Sequence, residues 1–465
     1  MLFSGFSFLF WFLPLTLTLY FLPQATGWGY SPLALRWQNA VLFAFSLLFY
    51  AWGEPLYVLL MLCTIGVNAA LARGIARARL SGERGRGYLL AAVLFDVGLL
   101  LFFKYPPLLG LPAPHLPLGI SFYTFQALSY VADVYMERAE AEKNPFYVGL
   151  YVALFPQLVA GPIVRYTDVA SELRARTHSV QDAAAGARRF IVGLAKKVLL
   201  ANPAGEIFAA FGATGADSAV RAWLAVLGFT FQIYFDFSGY TDMAIGLGRV
   251  FGFRFPENFH YPYIAGSITD FWRRWHITLS AFFREYVYIP LGGNRKGALR
   301  TTRNLLIVWT LTGLWHGPSW NFLLWGLYYF LLLTAEKHLL KKIPWQAPSA
   351  LKWSAAFAAT MLGWTLFFFD GSTEALTLSR LPAFLATLLG ANGLARGSDL
   401  YDLVRSLSLL ALCAVGATPL PRQIFARLTA QKFSLTSTLL PLAALLFCIA
   451  ALASAGFNPF LYFRF

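Results

Sequence analysis

Charged residues are scarce in this 465-residue chain: Asp, Glu, Lys and Arg together make up 13%, against 58% hydrophobic and 17% aromatic residues. A soluble fold has no use for so much apolar surface, and several windows from Phe3 onward exceed about 18 predominantly apolar residues, enough for a transmembrane helix. The longest polar stretches run about 25 to 35 residues, too short for a core of their own. A separate hydrophilic domain is therefore excluded, and residues 1–465 read as one membrane-embedded, all-α domain. Cysteine is nearly absent. Cys63, Cys413 and Cys448 fall in apolar segments without metal-ligand spacing and read as buried thiols, not as a disulfide framework or a metal site. There is no Gly-x-Ser-x-Gly elbow and no His-Glu-x-x-His, so neither a serine nucleophile nor a zinc site is indicated. No internal repeat is evident, which counts against a polytopic transporter, the reading from a different class; a non-enzymatic export scaffold is a further alternative.

The net charge of +15 sits in short loops between apolar spans, where it reports topology and implies no nucleic-acid partner. Met1 to Leu22 lacks a basic n-region and reads as a retained span. Arg73, Arg77, Arg79, Arg84 and Arg86 mark a cytoplasmic loop after three spans, which puts the N-terminus outside. Spans at Tyr88–Phe103 and Leu116–Tyr135 follow. Pro145 to Gly161 then has both ends on the cytoplasmic side and reads as re-entrant. An amphipathic surface helix is expected over Asp168–Arg189, then a span Ile191–Phe211 with Lys196 and Lys197 snorkelling at its inner end. Ala219–Phe235 returns. Asp236 to Arg303 reads as short interfacial and partly buried helices, with Trp272, Trp275, Phe282, Phe283, Tyr286 and Tyr288 as a headgroup-level belt. Trp353–Phe369, Leu403–Val415 and Ser437–Ala453 complete about 10 to 12 crossings. A basic loop carrying Arg422, Arg427 and Lys432 lies inside, and the C-terminus lies outside.

The chain is organised around Asn304 to Lys341, an apolar run broken at Trp315-His316-Gly317-Pro318. Arg300 and Arg303 before it and Lys337, Lys341 and Lys342 after it put both ends on one side, making a hairpin. From Arg303 to His316 the rise is only about 20 Å against a hydrocarbon core of about 30 Å. His316 is therefore expected inside the membrane, beside a helix break, where an ionisable group marks function. The competing reading is a histidine that only ties helices together.

Other candidates surround it in the chain. Asp236 and Asp242 bracket Asp-Phe-Ser-Gly-Tyr-Thr-Asp at the end of a span; one carboxylate can orient a histidine, or both can cap a helix or pair with Arg273 or Arg274. Asp270 to Thr278 sets Arg273, Arg274 and His276 among indoles, suited to phosphate or carboxylate, or to interfacial anchoring. Gln157 lines a cavity or bonds between helices. Leu291 to Gly297 is a Gly-rich basic turn with weak phosphate-binding character. His115, His178, His260 and His338 lie in loops or at interfaces and need no special role.

Five blocks carry a resemblance: Phe155-Pro156-Gln157-Leu158-Val159-Ala160-Gly161-Pro162, Tyr234 to Ala244, Asp270 to Ser280, Tyr288 to Arg295, and Gly313-Leu314-Trp315-His316-Gly317, with Tyr462-Phe463-Arg464-Phe465 at the end. On these the chain resembles the membrane-bound O-acyltransferases, and among them the bacterial alginate O-acetyltransferase branch. The resemblance implies a helical bundle with re-entrant and interfacial helices in the cytoplasmic (inner) membrane. It implies no bound cofactor, an acyl donor on the cytoplasmic side (acetyl-CoA), and an acceptor on the outer side: a polysaccharide hydroxyl or a periplasmic acetyltransferase-like partner. The family's near-universal histidine falls on His316 and its second polar position on His276; donor recognition falls to the basic inner face. The rival branch transfers D-alanine to teichoic acid from a carrier protein.

Overall fold

The computed structural model describes residues 1–27, 29, 31–112, 114–212, 215–339, 347–429, 435–454, 460 and 461, and every regular element among them is helical. Lys341, Lys342, Lys432 and the Tyr462 to Phe465 ending lie outside the described residues. Among the described residues five helices are long and apolar enough to cross a bilayer: Phe8–Ala25, Pro32–Ala51, Tyr57–Leu80, Arg86–Lys104 and Thr436–Ser454; Asp399–Gly416 and Leu420–Leu428, bent by 72°, make a sixth if they form one span. The expected count of crossings needs further helices that fall short on length or apolarity: Ile120–Tyr135, Ala219–Val250, Ala298–His316, Trp320–His338 and Ser349–Phe368.

The helices group into two compact units, one comprising Met1–Leu194 and Tyr240–Glu257, the other Ala195–Gly239 and Asn258–Leu461. In the first, the segment expected to be re-entrant is a broken helix: Pro145–Ala153, an extended residue at Leu154 (ψ 109°), and one turn at Phe155–Leu158. The expected amphipathic helix is two helices, Tyr166–Arg174 and Val180–Ala195; Asp168 accepts from the Arg165 N–H at 3.0 Å and starts the first.

Ala219–Val250 departs most from expectation. The helix does not stop at Phe235 but runs on for 32 residues, a rise of about 48 Å. The Ser-Gly-Tyr-Thr run that reads as the end of a span is helical because tertiary packing overrides propensity. Gly246 is a contact point: a Cβ there would lie 2.6 Å from the Gly186 carbonyl and 2.7 Å from the Phe190 nitrogen.

Three smaller expectations are corrected. Lys197 does not snorkel; its side chain is 2% exposed and its ammonium lies 2.6 Å from Asp236 Oδ1. The aromatic belt is largely interior: Trp272, Trp275, Phe282 and Phe283 are all buried, because Ile268–Arg274 packs onto the helices Trp320–His338 and Ser349–Phe368. Cys413 and Cys448 are buried as expected, but Cys63 is exposed.

Candidate active site

His316 is the last residue of the helix Ala298–His316. That helix starts five residues before Arg303, so the charge boundary used to place His316 lies within its first two turns. Gly317 leaves the helix with an extended backbone (φ 166°, ψ 173°), and the return arm Trp320–His338 begins after Pro318 and Ser319. The arms meet at two glycines. A Cβ on Gly313 would stand 2.4 Å from the Phe322 carbonyl oxygen, and one on Gly326 2.4 Å from that of Trp309. Asn321 fastens the return arm: its amide donates to the Phe367 carbonyl at 2.8 Å.

The imidazole of His316 is 3% exposed. Rings wall it in, with centroids at 4.9 Å for Trp315, 5.1 Å for Trp325, 5.1 Å for Phe367 and 6.0 Å for Phe322; the Trp325 and Phe367 rings stand edge-on at 85°. Such a wall excludes bulk water and fixes the ring plane.

His276 is built differently. It sits between the short helices Ile268–Arg274 and Ile277–Phe283 in a left-handed conformation (φ 43°, ψ 54°), a strained state for a side chain of this size that surrounding structure must hold. Asn258 holds it. The Asn258 side-chain oxygen accepts from the Thr278 N–H at 3.2 Å and the Thr278 hydroxyl at 2.9 Å, and lies 3.1 Å from His276 Nδ1. A backbone N–H can only donate, so the Asn258 atom is an acceptor and His276 Nδ1 must carry a proton. The basic nitrogen of neutral His276 is thus Nε2. Glu336 positions the same segment: its carboxylate accepts from the Ile268 N–H (2.6 Å), the Thr269 N–H (2.8 Å) and the Thr269 hydroxyl (2.6 Å).

The two histidines, 40 residues apart in sequence, share a wall. Trp315 packs on His316 at 4.9 Å and on His276 at 6.3 Å, and Phe237 closes the other side of His276 at 4.7 Å. Asn258, Glu336, Trp325 and Phe367 were not legible as site residues; Asn258 lies 18 positions before His276 in an unremarkable loop, and no periodicity marks it.

The remaining candidates do not join them. Asp236 pairs with Lys197 and accepts from the Leu461 N–H at 2.6 Å. Asp242 pairs with Arg189 at 2.9 Å, and Arg189 also holds Glu257. Neither carboxylate meets Arg273, Arg274 or a histidine through any described contact. Six residues along a helix turn them about 240° apart, which explains their separate partners. Arg274 is committed to Asp270 at 2.9 Å, whereas Arg273 is exposed. Gln157 is fully buried and donates to the Tyr151 carbonyl at 2.5 Å, capping the broken helix it follows. In the Gly-rich turn the N–H groups of Gly292 and Gly293 bond to the carbonyls of Ile289 and Tyr288 at 2.9 Å each, and buried Asn304 donates to the Gly293 carbonyl at 2.9 Å. Those amides are spent on the turn and do not form a phosphate cradle.

A profile of the membrane-bound O-acyltransferases matches residues 7–370, spanning both histidines. The chain belongs to the membrane-bound O-acyltransferase family. It is 39% identical to the probable alginate O-acetylase of Azotobacter vinelandii over 384 residues, 79% of this chain and 75% of that protein. With the corresponding Pseudomonas putida protein it shares 35% identity over the full length of both. A peptidoglycan O-acetyltransferase of Helicobacter pylori is 35% identical, covering 84% of this chain and 80% of its own length. This membrane-bound O-acyltransferase is thus a multi-pass membrane enzyme, and His276 and His316 are its best-enclosed imidazoles.

Proposed function

We propose that the enzyme moves an acetyl group from cytoplasmic acetyl-CoA to a hydroxyl of a polysaccharide outside the cytoplasmic membrane, or to a periplasmic acetyltransferase-like partner, with His316 as general base. The observation that carries this reading is the pair of buried imidazoles against Trp315. The relatives' names, which concern alginate and peptidoglycan acetylation, support the acceptor class.

In the reaction, His316 takes the proton of the acceptor hydroxyl as its oxygen attacks the thioester carbonyl. The new C–O bond forms, the C–S bond breaks, and the proton passes to the departing thiolate. Neutral imidazole suits this because its ordinary pKa lies near 6.5. His276, held by Asn258, orients the reacting groups through Nε2. Arg273 supplies an exposed cation for the donor's phosphates.

The test is acetyl analysis of the extracellular polysaccharide from cells with the gene, without it, and with His316→Gln. Loss of O-acetyl in the last two, at normal protein abundance, is the expected result. D-alanyl ester in place of acetyl, or normal acetylation with His316→Gln, overturns it. Orientation is tested in a Cys63→Ser background by Thr177→Cys, an exposed position on the side assigned to the cytoplasm. Labelling by an impermeant reagent from outside overturns the inside-outside assignment.

A further inference from the structure

An arginine-rich cavity lies away from both histidines in sequence, within the unit that comprises Met1–Leu194 and Tyr240–Glu257. It encloses about 580 Å³ and is lined by five arginines (Arg36, Arg174, Arg176, Arg249 and Arg254) against two carboxylates, Glu172 and Asp182. That volume is within the range of small-ligand pockets.

Two of the arginines are already engaged. Arg249 pairs with Asp182 at 2.7 Å, and Arg174 with Glu142 at 2.5 Å. Burial pushes the Glu142 carboxyl up, but hydrogen bonds from Asn144, Tyr166 and Arg174 outweigh it and hold the group below its ordinary range, so Arg174 keeps its anionic partner at neutral pH.

Arg176 is the exception. It is 7% exposed, lies face-on to Phe253 at 4.6 Å, and donates from Nε to the Tyr20 hydroxyl at 3.2 Å and from Nη1 to the Glu172 carbonyl at 3.1 Å. Its buried Nη2 has no hydrogen-bond partner among the described residues, and neither does the side-chain NH₂ of Gln38, which lines the same cavity at 2% exposure. Among the described residues no carboxylate pairs with this guanidinium. A buried cation without a counter-charge is costly, and so is a buried donor without an acceptor. Both costs vanish when an anion with several acceptor oxygens occupies the cavity.

We propose that this cleft is a binding site for a phosphate ester, with Arg176 and Gln38 as its buried donors and Arg36 and Arg254 as exposed cations of its lining. Planar guanidinium forks match phosphate oxygens, and charge-assisted bonds of this kind are the strong ones. Two sources share this chemistry: the nucleotide phosphates of a CoA thioester, and the headgroup of an anionic phospholipid. The first source rests on the acyl-transfer reading; the second does not.

The experiment uses the purified full-length chain in detergent, with unacylated CoA titrated calorimetrically and phosphatidylglycerol followed by native mass spectrometry. Arg176→Gln is expected to weaken the phosphate ligand by about 10- to 100-fold. Arg254→Gln, at an exposed position, is expected to weaken it less and stands in if Arg176→Gln fails to fold. His316→Gln leaves binding unchanged, so a failure of the catalytic reading and a failure of the cleft are read separately. CoA binding that depends on these arginines assigns the cleft to the soluble donor; arginine-dependent retention of phosphatidylglycerol without CoA binding assigns it to lipid. Wild-type binding of both ligands by both arginine variants, or binding of neither ligand by the wild type, overturns the proposal.

Discussion

Two helix breaks in this molecule look alike in sequence and differ in what they leave behind. At Leu154 the break is sealed from within: Gln157 caps the Tyr151 carbonyl, and the Phe155 N–H donates to Ser46 Oγ at 3.0 Å. At Gly317 neither flanking cap residue contributes a side-chain hydrogen bond, and the polar group delivered there is an imidazole enclosed by rings. Both breaks contain proline and a fully or nearly buried polar side chain. The first turns that side chain onto its own backbone; the second sets it among aromatic rings. Burial of a polar residue at a break is therefore no sign of chemistry until its surroundings are known.

The contrast is open to direct test. The largest effect is expected at His316→Gln, a loss of about 10²- to 10⁴-fold in acyl transfer per folded molecule, read by product formation against protein abundance. Next comes the ion pair. Asp236→Ala strips the buried carboxylate from Lys197 and should cost about 3–5 kcal/mol of stability, seen as lost yield and a lower thermal midpoint in detergent, while an apolar replacement of both partners should recover much of it. Gln157→Leu should cost about 1–3 kcal/mol, with transfer per surviving molecule unchanged; a drop in turnover at full stability would erase the distinction between the breaks. The smallest effect belongs to Arg273→Ala, a modest rise in apparent KM for the donor with kcat nearly preserved, since a contact far from the reacting carbon binds ground and transition states alike. Arg274→Ala should act instead through fold, by releasing Asp270.

Much of this was legible because it rests on local rules. Gly317-Pro318 announces the end of a helix, the hairpin follows from an apolar run with basic flanks, and the break in Pro145 to Gly161 follows from Pro156 and length. What was hidden depends on distant partners. Asp236 meets Lys197 from 39 residues away and Asp242 meets Arg189 from 53, and no spacing in the sequence announces either. The same blindness cut Ala219–Val250 short: the polar, Gly-rich stretch from Asp236 reads as the end of the span until Gly246 is seen pressed against Gly186 and Phe190. His276 was found for its company of arginines and indoles, but Asn258, which fixes its tautomer, was not. Arg273 and Arg274 looked equivalent until Asp270 was found to hold only one of them.

The glycine seam of the hairpin bears on traffic. With carbonyl oxygens 2.4 Å from where a Cβ on Gly313 or Gly326 would stand, the two backbones touch with nothing between them. A methylene needs about 3.5–4.0 Å to its neighbours, so no acyl chain fits between the arms at this seam. Cargo must go around. The hairpin that mounts the imidazole is also a partition, and on the proposed function a molecule reaching His316 comes along one side of it.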